Sequence, residues 1–188
     1  MSETVIADID YGPLACLIGS WQGDMGMDVA PEPDDTEHNP YYETLSFEAA
    51  GDVTNAEEQT LSALRYHQVV SRKSNDKVFH DQVGYWLWNP ATKTVIQTLT
   101  IPRAVTLLAG GTATVGDDRT IFEVQAEDGD TEWGILQSPF MQKKARTLEF
   151  RHRLTVMGDR LSYRETTVLE IYGNPRFEHT DQNTLRRQ

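Results

Sequence analysis

The strongest constraint on this chain is a unit that recurs about ten times: a short run of alternating or β-branched and aromatic residues, closed by a turn signal. The runs read SWQGDMGMDV, YYETLSFEAA, TLSALRYHQVVS, VFHDQVGYWLW, TVIQTLTI, VTLLAGGTATV, TIFEVQAE, WGILQS, TLEFRHRLTV and LSYRETTVLEIY. Between them lie KSNDK, NPATK, GDD, EDGD and MGDR, rich in the Gly, Asn, Asp and Pro that hairpin turns require. Connections this short make neighbouring strands antiparallel. Only DYGPLACLIG reads as a short helix, so no helical layer is available to cover an open sheet. The sheet must bury its apolar face against itself. The expected fold is therefore all-β: a roughly ten-stranded antiparallel up-and-down β-barrel, with the PLACLIG turn plugging one end and Trp21 buried there. A two-sheet sandwich is the alternative.

The chain has 188 residues, which suits one domain, read as 13–188 after a polar tail over 1–12. The long acidic stretch APEPDDTEHNP, within Val29–Pro40, reads as a loop between the first two strands. Seventeen basic against 29 acidic residues give a formal charge of −12, which repels phosphate backbones and anionic lipids. Nucleic acid and membrane surfaces are accordingly not expected as partners. The N-terminus carries acids where a signal peptide needs bases, and a soluble, cytoplasmic protein is expected. Cys16, the single cysteine, sits in an apolar run as a small hydrophobe.

No CxxC or HxxxH pair, nucleophile elbow or phosphate loop is present, and the carboxylates are scattered enough to read as solvated surface. The histidines differ. His38 falls in the acidic loop, and His67 on an outer face or rim. His152 alternates with Leu148, Phe150, Leu154 and Val156 and points into the core as a neutral, hydrogen-bonded imidazole. His80 shares a face with Gln82, Trp86 and Trp88, which suits a pocket wall or a wet exterior equally. His179 follows the Gly173-Asn174-Pro175 break; if a strand resumes there, Phe177, His179 and Leu185 share one face. Otherwise it is an exposed histidine in a polar tail.

Three motifs resemble the nitrobindin-like proteins, small fatty-acid-binding-protein-like barrels that hold heme b. LIGSWQGDMG is similar to the opening signature, carrying Gly19, Trp21 and Gly23. KVFHDQVGYWLW is similar to a central strand with a histidine. GDRLSYRETTVLEIYGNPRFEHTDQNTLRR resembles the ending, in which a Pro break precedes the iron ligand. The resemblance places the axial ligand on His179 and a pocket-lining histidine on His80, with Phe79 and Leu169 as further pocket neighbours. It implies a ferric heme with one axial histidine that binds nitric oxide or another diatomic, or isomerises peroxynitrite to nitrate. Two departures stand out. Met25 replaces the third glycine of the signature, so the strand after Trp21 is expected to be bulged or shifted, and the acidic Val29–Pro40 segment replaces a Tyr-Pro-Thr stretch. Two other readings remain: a lipocalin-like carrier of a small apolar molecule without metal, and an enzyme using His80 with Asp81 as general base and orienter. A homodimer is left open.

Overall fold

The computed structural model describes residues 4–188. A two-stranded hairpin, β1 (Val5–Ile6) and β2 (Ile9–Asp10), occupies part of the segment expected as a tail; residues 1–3 lie outside the described residues. A 3-10 turn over Gly12–Leu17 follows, then β3 (Gly19–Pro31), β4 (Thr36–Asn55), β5 (Gln59–Arg72), β6 (Val78–Asn89), β7 (Thr94–Ile101), β8 (Val105–Val115) and β9 (Thr120–Glu127). The chain ends with β10 (Ile135–Gln137), α1 (Pro139–Lys144), β11 (Ala145–Met157), β12 (Arg160–Ile171) and β13 (Asn174–Arg187).

The hydrogen-bonded order β8-β7-β6-β5-β4-β3-β13-β12-β11-β9 returns from β9 to β8, so ten antiparallel strands close a barrel. Closure excludes the sandwich and leaves no long unpaired edge. The WGILQS run is not a stave: β10 is three residues long and pairs only with the Val105 end of β8. Helix α1 was not expected from the sequence, since six residues are too few to show a helical period. Its cues are local: Ser138 caps the backbone N–H of Met141, Pro139 opens the first turn, and Lys143 and Lys144 lie in the last.

The N-terminal plug forms as expected. Pro13 sets the first turn, Leu14 and Leu17 are fully buried, and the Trp21 indole donates to the Leu17 carbonyl at 2.8 Å. The Arg187 guanidinium lies 4.1 Å from the Trp21 ring centroid and donates to the carbonyls of Cys16 and Ile18, tying β13 to the plug.

The strand after Trp21 is bulged, as the Met25 departure suggests. The β3–β4 register shifts between Gly23 and Gly26, and Met25 is turned out to solvent. Gly26 is required at the far side of the bulge: a Cβ there would lie 2.1 Å from the Tyr41 ring. The acidic segment is not a loop. Strands β3 and β4 continue through it, pairing Val29 with His38, Ala30 with Glu37 and Pro31 with Thr36, and only residues 32–35 turn. The ladder satisfies backbone groups that a loop would leave to solvent. It also carries the strands to one end of a cavity.

Candidate functional site

The barrel holds a cavity of about 310 Å³ whose wall draws on β3, β4, β5, β6, β7, β8, β11, β12 and β13. One part of the wall is apolar, from Leu99, Ile101, Val105, Leu107, Met141, Phe150, Leu169 and Ile171. The other part is acidic, and His179 stands in it.

His179 reaches the cavity because its segment is a strand. After the Tyr172-Gly173 turn, β13 pairs with β12 (Thr167 with His179) and with β3 (Thr180 with Val29), which makes it the stave that closes the barrel. Alternation then turns Phe177, His179, Asp181, Asn183 and Leu185 to one side. The Nε2 of His179 lies 2.6 Å from Oδ1 of Asp28 and 3.5 Å from Oδ2 of Asp181. Asp28 is buried and also accepts from the Asn39 amide at 2.9 Å. Burial is the largest single influence and opposes charge on both groups, but the hydrogen bond and charge attraction between them, joined by Asn39 at Asp28 and by Asp181 and Glu165 at His179, together outweigh it. Thus Asp28 is held below the usual carboxylate range, and His179, with Asp181 adding to the field, above the usual imidazole value.

The strand register sets three carboxylates side by side. Asp28 pairs with Asp181 across β3–β13, and Asp181 with Glu165 across β12–β13. Like charges directly opposite one another repel. Burial, with the neighbouring carboxylates adding, pushes Asp181 up to about 7 and Glu165 up to about 8. Below this row a separate network is satisfied internally: Glu43 accepts from Gln68 at 2.5 Å, Asn183 at 2.7 Å and the Tyr163 hydroxyl at 2.9 Å.

The other expected residues fall as follows. His80, Phe79 and Leu169 all line the same cavity. His80 Nε2 lies 3.0 Å from the Gln82 side-chain oxygen, and burial holds its pKa below the usual value, keeping the ring neutral. Phe79 lies under the Arg72 guanidinium at 4.8 Å. Asp81 is not a partner of His80: it points to the outer face and meets His67 at 3.2 Å, so the expected base and orienter pair does not form. Successive residues of a strand face opposite ways, which excludes the pair. His152 is a buried neutral imidazole, its Nδ1 3.0 Å from Gln97 and its pKa pushed down to about 3 by burial. His38 is exposed. Sequence reasoning missed Asp28, Asp181 and Glu165. Alternation with His179 and Leu185 marks Asp181, and alternation with Leu161 and Tyr163 marks Glu165.

A profile of the THAP4-like, heme-binding beta-barrel domain matches residues 10–187. The chain belongs to that family. Among solved structures it is similar to Rv2717c from M. tuberculosis, at 23% identity and a TM-score of 0.68, with 93% of this chain and 94% of that one covered. That likeness concerns the fold.

The residues of this cavity fit a heme on three counts. The apolar wall suits the faces of a macrocycle. His179 gives one ring nitrogen to a buried carboxylate while its Nδ1 has no partner among the described residues, a donor arrangement typical of metal-bound histidine. Arg72, whose Nε has no partner among the described residues, and Arg103 supply cationic groups in the same wall, suited to a propionate.

Proposed function

We propose that the barrel binds heme b through His179 and presents the open side of the iron to a small diatomic such as nitric oxide, or to peroxynitrite for isomerisation to nitrate. The observation that carries this reading is the position of His179: the strand that resumes after the Gly173-Asn174-Pro175 break turns its imidazole into the cavity, where Asp28 of β3 pins it. A heme iron held by His179 alone would supply an open coordination site at which such ligands bind.

The chain's own residues do the rest. Asp28, fixed by Asn39, holds the imidazole against rotation and sets which ring nitrogen carries its proton. Leu99, Leu107, Phe150 and Leu169 line the cavity and would exclude water from a bound macrocycle. His80, neutral and anchored on Gln82, is a polar group of the cavity wall available to a small ligand.

Hemin titration of wild type and His179→Ala, followed in the Soret region with and without imidazole, tests the assignment. The variant is expected to lose most of its affinity, with free imidazole restoring part of the spectrum. Equal binding by both proteins overturns His179 as ligand. No binding by either makes the barrel a carrier of a small apolar molecule.

A further inference from the structure

Three carboxyl groups lie in register inside the closed barrel. Asp28, Asp181 and Glu165 occupy adjacent strands at paired positions, and all three line the cavity. His179 is two residues from Asp181 on the same face. One ligand atom each from Asp28, His179 and Asp181 lies within 4.8 Å of the others, a spacing compatible with one shared ion. Glu165 is a second and independent sign. It is 8% exposed, lines the same cavity and makes no hydrogen bond among the described residues. Its nearest basic neighbour, His152 at 3.9 Å, is neutral and already engaged with Gln97. A buried carboxyl without a hydrogen bond is costly unless something in the cavity takes it up. The buried Glu43 nearby, which accepts three hydrogen bonds, shows how the fold treats a carboxylate that needs no ligand.

We propose that Asp28, Asp181 and His179, with Glu165 beside them, form a binding site for a divalent first-row transition cation, of the Zn2+, Co2+ or Mn2+ type, in the chain free of heme. The donor set decides the class. Carboxylate oxygens together with an imidazole nitrogen, and no thiolate, suit borderline divalent ions; Mg2+ and Ca2+ prefer oxygen alone, and soft ions need sulfur. Because its donors include His179, the cation and heme are mutually exclusive occupants. The cation site goes beyond the heme reading, and only the competition rests on it.

The test uses the full chain, stripped with a chelator and dialysed. Titration with Co2+, followed by its visible d–d absorption, is expected to saturate at one equivalent and to be displaced by Zn2+. Asp181→Asn and His179→Ala are each expected to weaken Co2+ binding about tenfold or more, with His179→Ala also shifting the band as nitrogen is lost; Glu165→Gln weakens it less. Glu123→Gln, on the outer face beside Arg153, controls for nonspecific attraction to an acidic protein and leaves the affinity unchanged. Circular dichroism confirms that each variant is folded. Absence of a Co2+ band, or equal affinity in wild type and the Asp181→Asn and His179→Ala variants, overturns the cation site whatever hemin does. Co2+ binding without a Soret band on hemin addition sustains the cation site and overturns the heme reading instead. Where both ligands bind, saturating Zn2+ is expected to weaken hemin binding at least tenfold, and an unchanged hemin affinity removes His179 from the cation's donors.

Discussion

Glu165→Gln is expected to stabilise the metal-free protein in mild alkali while leaving it almost unchanged in mild acid. Glu165 is raised from an ordinary 4.5 to about 8 by burial and by the field of Asp181. Between those values the folded state keeps a proton that the unfolded chain has released, so stability falls as pH rises through that window. A shift of this size corresponds to an upper bound of about 5 kcal/mol, at about 1.4 kcal/mol per unit. Coupling to Asp181, which is also raised, and water in the cavity reduce the observable effect to about 1–3 kcal/mol. Glutamine copies the shape of the protonated acid and cannot ionise, which removes the slope. Urea denaturation with chelator present, at about pH 5 and about pH 8.5, gives the difference directly. Equal loss of stability with pH in both proteins would refute the reasoning and show that the carboxyl ionises freely inside the barrel.

Four further outcomes follow from the geometry. Hemin affinity should fall as pH drops, beginning above the ordinary imidazole value because His179 is raised, and Asp28→Asn should move the onset to lower pH; Soret titrations across the range check both. His80→Leu should keep the Soret band and change the rate of nitric oxide dissociation, whereas loss of heme in that variant would exchange the roles of the two histidines. Gly26→Ala should cost about 1–3 kcal/mol by driving a methyl group into the Tyr41 ring, measured by urea midpoint. Trp21→Phe should cost a similar amount through the lost Leu17 hydrogen bond and Arg187 stacking, with hemin affinity unchanged, since Trp21 is outside the cavity wall.

The barrel was legible because its signals are local: period-two alternation and turn chemistry lie within each run, and a lack of helices leaves closure as the way to bury the apolar face. His179 was legible as a strand residue once the Pro175 break was taken as a restart. The acidic segment differs from the loop expected because composition outweighed pairing there; Glu37 and Asn39 look like a solvated loop until register places them opposite Ala30 and Asp28 on the facing strand. The carboxylate row is a different case. Its residues belong to β3, β12 and β13, and their alignment depends on a bulge at Gly23–Gly26 and register shifts that no single run encodes.

The stave that carries His179 also joins the two sides of the sheet, and its contact with Asp28 spans 151 positions of sequence. Pairing over such a separation carries a high loop-closure entropy and contributes to slow folding. The seam between β3 and β13 is therefore expected to zip late, and until it does, neither the imidazole pocket nor the acidic row exists. A ligand that recognises only the zipped form acts as a rivet across the last joint, adding RT ln(1 + [L]/Kd) to the closed state. Amide protons of β3 and β13 should thus gain the most protection from exchange when the cavity fills, which makes ligand occupancy readable as the tightness of one seam.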